Sequence, residues 1–251
     1  MKSNLRKKLV HGVSYGAWVT IGNPDVTDIL QGLPFDWLVF DTEHSPIGAE
    51  TVSHMIQVLD EEKVSPLVRV GANDQYLIKM ALDMGAHGVV VPLVNTREDA
   101  EVAVSYCKYP PVGVRGVAPR KAADYGLSAA EYLRKANEET LLLVQVETKK
   151  ALENLDAILG VKGVDVAFVG PTDLTMSLGF LDDRSNPRIL EEMRGVVKKC
   201  QGYGKIPGTM ALTADEAKRD ASMGFRFISL ASDVRHLMEG ARGFLKSVGR
   251  L

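Results

Sequence analysis

The chain has 251 residues, a formal net charge of −2, and apolar and charged fractions of 45% and 25%. That length suits one large domain such as a single α/β barrel of about 250 residues, and the charge leaves no basic footprint for nucleic acid or an anionic membrane surface. No run of about 18 apolar residues is present to span a bilayer, and Cys107 and Cys200, far apart and without a CxxC spacing, argue against a disulfide framework or a zinc–thiolate site.

In chain order, residues 1–12 carry Lys2, Arg6, Lys7 and Lys8 but no apolar h-region, so they do not read as a secretory leader; a reduced, cytoplasmic setting is the expectation. Short apolar or β-branched runs follow at 15–21, 36–41, 66–70, 88–93, 141–147, 164–170, 206–210 and 225–230. Amphipathic stretches at 49–60, 74–84, 97–106, 149–159, 187–201 and 214–223 separate them. Strand candidates apolar on both faces, with helices between, describe a parallel sheet covered by helices. Their number and the total length favour a closed (β/α)₈ TIM barrel over an open sheet, with residues 1–251 as one domain. No GxGxxG follows the first strand and no GxxxxGK[ST] occurs, which weighs against dinucleotide and P-loop folds.

Two segments break this rhythm. After the fourth strand, residues 110–126 are rich in Pro, Gly and basic side chains, and a long loop in a compact domain is usually functional or mobile. At the end, residues 233–248 place Val234, Leu237, Met238, Ala241, Leu245 and Val248 at helical spacing. Such a stripe must be buried on its own barrel or on another subunit.

Polar residues gather where the apolar runs stop, and barrel enzymes carry their chemistry at the C-terminal strand ends. The fifth run leads into Gln145 and Glu147, two apart and so on one face of a strand. The sixth leads through Gly170-Pro171-Thr172 to Asp173. Each carboxylate alone reads as a helix or turn cap; as a pair on neighbouring strand tips they suit a hard divalent cation bound by oxygen. Arg69 lies between Val68 and Val70 in an apolar strand and needs a partner. Its planar fork suits a carboxylate or a phosphate, and a structural ion pair with Glu43 or Asp41 is the bland alternative. Histidine is the side chain whose ordinary titration lies near neutrality, and His44 follows Asp41 by three residues, which suits a general acid/base with an orienting carboxylate. His11, His54, His87 and His236 lack such settings and read as solvated. The Gly170-Pro171 turn either presents backbone N–H groups near Thr172 and Asp173 to an anionic oxygen or merely turns the chain. No lysine ends a strand, so a Schiff base is disfavoured, and a cation that polarises a carbonyl while a base forms an enolate is the chemistry these groups support.

The segments Asp36-Trp37-Leu38-Val39-Phe40-Asp41-Thr42-Glu43-His44, Val68-Arg69-Val70, Arg115-Gly116-Val117, Val144-Gln145-Val146-Glu147-Thr148 and Gly170-Pro171-Thr172-Asp173-Leu174 resemble, in order and spacing, the signatures of the HpcH/HpaI aldolases, class II pyruvate aldolases acting on 2-keto-3-deoxy sugar acids and 4-hydroxy-2-oxo acids. The resemblance runs from about residue 15 to 234. It implies a (β/α)₈ barrel and a homo-oligomer, commonly a hexamer of dimers that exchange the last helix. It implies Mg²⁺, Mn²⁺ or Co²⁺ on Glu147 and Asp173, Gln145 near the pyruvate unit, Arg69 as the essential cation and His44 with Asp41 as acid/base. Asp83 matches a position that supports the histidine across a subunit contact; otherwise it is a solvated helix residue. Trp18, Met210 and Ala211 are expected as pocket walls, with core packing the other reading of Trp18. The substrates implied are a keto acid and an aldehyde. The run Ala118-Pro119-Arg120-Lys121-Ala122-Ala123-Asp124-Tyr125-Gly126 departs from the small-residue, arginine-rich loop of the sugar-acid aldolases. It is expected to face an active site, often a neighbour's, which leaves the aldehyde half open. A citramalyl- or malyl-CoA-type lyase shares the metal pair, but Arg120 with Lys121 is thin support for coenzyme A. A non-catalytic metabolite-binding barrel would have no need of the acid/base pair.

Overall fold

The structure, a computed structural model, describes residues 5–181 and 183–251. Eight strands, β1 Ser14–Val19, β2 Trp37–Asp41, β3 Ser65–Arg69, β4 Gly88–Val91, β5 Leu141–Val146, β6 Val166–Val169, β7 Ile206–Ala211 and β8 Phe227–Ser232, pair in parallel in chain order and close when β8 meets β1. With helices between them this is the (β/α)₈ barrel. β4 stops earlier than its apolar run because Pro92 has no N–H for the ladder and Leu93 turns to a left-handed φ of 53°. β8 starts later than its run, at Phe227, so the chain pairs beyond Leu230.

Alternate residues face opposite ways along each strand. Leu38, Phe40, Val68, Val144, Val146, Ala167 and Val169 pack outward into the helix layer. Trp18, Trp37, Val39, Leu67, Val90, Leu143, Phe168 and Phe227 fill the interior. The interior is aromatic: Trp37 stacks on Phe227 at 3.8 Å and Trp18 tilts against Phe168 at 5.0 Å. Gly16 makes room for this, since a side chain there would place its first carbon 2.1 Å from the Trp37 ring.

The helices at expected positions are α3 Ala49–Gln57, α4 Gln75–Asp83, α5 Arg97–Cys107, α10 Pro187–Gly202, α11 Ala214–Met223 and α12 Asp233–Ser247. The stretch 149–159 divides at Asn154 into α7 Lys149–Glu153 and α8 Leu155–Leu159. α2 Pro24–Gln31, α6 Ala129–Glu139 and α9 Pro171–Ser177 were not anticipated. The basic N-terminal stretch forms α1 Leu5–His11, whose Leu5 and Leu9 join the barrel's interior cluster and plug its floor. Arg6 pairs with Asp165 at 2.7 Å and Lys8 with Asp36 at 2.7 Å to hold it there. Lys2, also read in that stretch, lies outside the described residues. Among the described residues no helix is long and apolar enough to cross a membrane.

At two surfaces the structure decides between the alternatives within one chain. The stripe on α12 is not buried on its own barrel: Leu237, Met238, Phe244 and Leu245 are exposed. The loop around 118–126, which contains a 3₁₀ segment at Lys121–Gly126, does not face its own chain's barrel mouth. It runs outside α4, where Gln75 donates to the Val114 carbonyl (3.3 Å) and Arg115 pairs with Asp83 (2.6 Å). It ends beside the N-terminal edge of β4, where Lys121 pairs with Glu61. Loops leaving a helix return the chain to the strand starts, opposite the mouth.

His87 also departs from its solvated reading. It is 1% exposed and its Nε2 lies 3.2 Å from Glu61. Burial alone would raise the Glu61 carboxyl, but hydrogen bonds from His87 and Lys121 outweigh it and hold the pKa at about 2. A folded pKa below the ordinary value contributes stability above about pH 4.5 that is lost as pH falls toward 2. Glu61→Gln should therefore cost roughly 3 kcal/mol at neutral pH, and the melting-temperature gap to wild type should narrow steadily from pH 5 to pH 3. A gap constant over that range would refute the pairing as its source.

Candidate active site

The mouth is built from the last inward-facing positions of the strands. Asp41 ends β2 and Arg69 ends β3, and the two are register partners. The pair is bidentate, Arg69 Nε to Oδ1 at 2.9 Å and Nη2 to Oδ2 at 2.7 Å. Nη1 of the same guanidinium lies 3.1 Å from Glu43, and its carbon sits 5.5 Å over the Trp18 ring. Arg69 is thus fixed on three sides, and both ion pairs foreseen for it are present. Burial pushes the Asp41 carboxyl up, but the Arg69 hydrogen bonds and charge prevail and hold it below the usual range. For Glu43 burial wins over Arg69, and its carboxyl is raised.

Glu147 stands just beyond β5 and is 5% exposed. Oε1 accepts the Leu93 N–H at 2.8 Å and Oε2 accepts from Gln145 Nε2 at 2.5 Å. Burial raises its carboxyl despite the Leu93 bond, and the charges of Asp173 and Glu43 push the same way against Arg69. Asp173 lies in the first turn of α9, which Pro171 starts; the Gly-Pro pair opens a helix instead of merely turning the chain. Gly170 separates the two carboxylates. A first side-chain carbon at 170 would lie 3.2 Å from Glu147 Oε2 and 3.6 Å from Asp173 Oδ2, so only glycine leaves the gap between them open.

These residues fit a divalent cation. Two carboxylates converge on one gap, and Gln145 Oε1 is buried with no hydrogen-bond partner. Glu43 adds negative charge within electrostatic range. Among the described residues no three His, Cys, Asp or Glu side chains form a closed cage. The site would leave most of a cation's shell to water and substrate oxygens, as magnesium-type sites do.

The remaining expected residues divide. Trp18 is buried in the interior and also floors Arg69. Met210 faces inward with that cluster, whereas Ala211, one residue on, packs in the outer layer and is not a wall of this mouth. His44 is at the rim with its side chain 65% exposed and Nε2 3.7 Å from Glu43. Asp41 does not orient that ring. Its Oδ1 accepts the backbone N–H groups of Glu43 (3.0 Å) and His44 (3.3 Å), and Arg69 takes the rest of the carboxylate. Thr172 is exposed beside Asp173 in the first turn of α9. Asp83 is neither at the mouth of its own chain nor solvated; it is buried at the end of α4 against Arg115. His236 stacks on Phe35 at 6.2 Å, His54 is exposed, and the His11 side chain lies outside the described residues.

Sequence reasoning overlooked three residues here. Leu93 takes a left-handed conformation that costs an L-residue roughly 1–2 kcal/mol, and nothing in a Pro-Leu-Val run signals it. Asn95 bonds both Leu93 and Thr148, for which an Asn-Thr helix start was the available clue. Arg184, ahead of α10, donates to the Met210 carbonyl at 2.5 Å and pairs with Glu216 at 3.3 Å, with no local pattern to mark it.

Comparison with known proteins bears on this geometry. Residues 14–240 match the family model described as HpcH/HpaI aldolase/citrate lyase. The chain is 36% identical over 222 residues to 5-keto-4-deoxy-D-glucarate aldolase of Escherichia coli K12, covering 88% of this chain and 87% of that protein. A solved HpcH/HpaI aldolase/citrate lyase family protein from Burkholderia cenocepacia J2315 superimposes with a TM-score of 0.93 at 32% identity, over 98% of this chain and 99% of that one. The HpcH/HpaI aldolase of Desulfitobacterium hafniense DCB-2 does so with a TM-score of 0.92 at 30% identity, over 98% and 97%. The chain belongs to the HpcH/HpaI aldolase/citrate lyase family and is a carbon–carbon lyase of aldolase type.

Proposed function

We propose that this lyase cleaves a 4-hydroxy-2-oxo acid or 2-keto-3-deoxy sugar acid reversibly to pyruvate and an aldehyde, with Glu147 and Asp173 holding a divalent cation, Mg²⁺, Mn²⁺ or Co²⁺. The carrying observation is the convergence of those two carboxylates across Gly170. Held there, the cation would supply Lewis-acid polarisation of the keto oxygen. Arg69, rigid in the grip of Asp41 and Glu43, presents its guanidinium to the developing oxyanion or the adjacent carboxylate. Gln145 lies beneath the pyruvate unit, and the first-turn N–H groups at Thr172 and Asp173, behind Gly170 and Pro171, offer donors to its carboxylate. His44 at the rim accepts the proton of the 4-hydroxyl as the carbon–carbon bond breaks, and returns a proton in the synthetic direction. Glu43 is the carboxylate nearest that ring, and Asp41 acts through Arg69 and the backbone of the His44 loop. The relative's sugar-acid name makes keto-deoxy sugar acids the first substrates to test. The exposed stripe of α12 is covered by another copy of the chain in a homo-oligomer, and any support from Asp83 to a histidine would come across such a contact.

Three outcomes test this reading. Chelator treatment, or Glu147→Gln, should abolish pyruvate release in a retro-aldol assay and added Mn²⁺ should restore only the wild type; full activity in either case would defeat the cation assignment. Arg69→Lys keeps the charge but loses the fork, and the rate should fall by roughly 10²–10³. A near-normal rate would leave Arg69 as a structural ion-pair residue. His44→Ala should bind Mn²⁺ normally while cleavage falls by roughly 10²–10⁴; a parallel loss of metal binding would make His44 a ligand or support.

A further inference from the structure

Leu93 poses a question that packing does not answer. It is a non-glycine residue at φ 53°, and its side chain is 58% exposed, so the conformation serves no burial. Its backbone is fully used. The N–H is delivered to Glu147 Oε1 at 2.8 Å, and the carbonyl accepts Asn95 Nδ2 at 2.9 Å. The other end of the Asn95 amide accepts from the Thr148 hydroxyl, and Thr148 directly follows Glu147. The amide orientation is set by chemistry, because turning it over would put its oxygen against the Leu93 carbonyl. Asn95 is itself anchored: its N–H donates to Asp99 at 2.9 Å in the capping box of α5, and its carbonyl accepts Asn154 Nδ2 at 2.9 Å between α7 and α8.

We propose that Asn95 is a positioning residue for Glu147, a strut between the loops after β4 and β5 that grips the Leu93 carbonyl and the Thr148 hydroxyl and so keeps the Leu93 N–H on that carboxylate. The proposal rests on the reading of Glu147 as a cation ligand. Groups that orient a ligating carboxylate commonly control metal affinity by 10–100-fold. With Asn95 in place, Glu147 Oε1 is occupied by Leu93 and Oε2 is left toward the Gly170 gap and Gln145. Without it, Leu93 is free to relax to negative φ, and its N–H swings off the carboxylate.

The test is a Mn²⁺ titration of the intact, chelator-stripped protein, with free Mn²⁺ read by electron paramagnetic resonance, alongside melting temperature and cleavage rate. Asn95→Ala should weaken Mn²⁺ binding about 10–100-fold, with the rate recovering to within a few-fold at saturating Mn²⁺. Asn95→Asp has the same shape, keeps the acceptor for Thr148 and sets an oxygen against the Leu93 carbonyl, so it should weaken binding as well even if Asn95→Ala fails to fold. Asn154→Ala, which removes only an anchor of the Asn95 backbone, should leave affinity within a few-fold. A lower melting temperature with unchanged Mn²⁺ affinity in the Asn95 variants would overturn the strut. Glu147→Gln separates the two readings: wild-type Mn²⁺ affinity there would remove the ligand assignment and the strut with it, whereas lost affinity in Glu147→Gln with normal affinity in Asn95→Asp would remove the strut alone.

Discussion

Successive residues of a strand face opposite ways, and in a closed barrel one of those ways is already full. Trp37, Phe227, Trp18 and Phe168 occupy the interior with aliphatic neighbours above and below. A charged side chain of inward parity therefore finds room at the mouth, where the strands stop and the aromatic packing ends. Asp41, Arg69, Gln145 and Glu147 all have that parity, matching Val39, Leu67 and Leu143 in the strands beneath them. A slip of one residue in β3 would send Arg69 into the helix layer in place of Val68 and bring an apolar side chain to the mouth. The chemistry of the site is thus a consequence of strand register.

The mouth is out of charge balance in a particular way. Burying Arg69 alone would cost several kcal/mol, and Asp41 answers it with two well-formed bonds. That pair is closed to further chemistry on its Asp41 side, which is why Asp41 cannot also serve the His44 ring. Glu43, Glu147 and Asp173 remain, bearing on one another, with Arg69 acting on both Glu43 and Glu147. Two of these carboxyls are raised by burial, so the folded protein tolerates their charge poorly. A divalent cation bound there would relieve that tension, and the two neutral donors on Glu147 keep its oxygens in place without neutralising them.

Much of this was legible in the amino-acid sequence because it follows from periodicity. The spacing of Gln145 and Glu147 alone puts them on one face, and the apolar runs locate each strand end to within a few residues. What was not legible depends on partners distant in the chain. Asp41 and His44 are neighbours in sequence, yet the Asp41 oxygens are claimed by Arg69, 28 residues away. Ala211 follows Met210, and that single step turns it to the outer layer. The plug α1 was hidden because two leucines four apart make too short a stripe to stand out among Arg6, Lys7 and Lys8. The position of the 118–126 loop was available in principle: it follows a helix, so the barrel's alternation returns it to the strand starts. The left-handed turn at Leu93 had no local signal at all.

The two ends of the barrel differ in how their charges are satisfied, and that difference separates stability from function. At the floor every named charge has a fixed opposite: Arg6 with Asp165, Lys8 with Asp36, Glu61 with His87 and Lys121. These contacts tie α1 and the 3₁₀ loop to the strand starts. At the mouth, Glu147 is buried, bonded only to neutral donors, and faces a gap that a single glycine keeps open. A strained residue, Leu93, is retained there to supply one of those donors. Strain that serves no packing persists only where the surrounding structure holds it, and the Glu147 carboxylate and the Asn95 amide are the groups bonded to it. The same polypeptide thus pairs its named floor charges internally, and at the mouth presents a buried carboxylate held only by neutral donors.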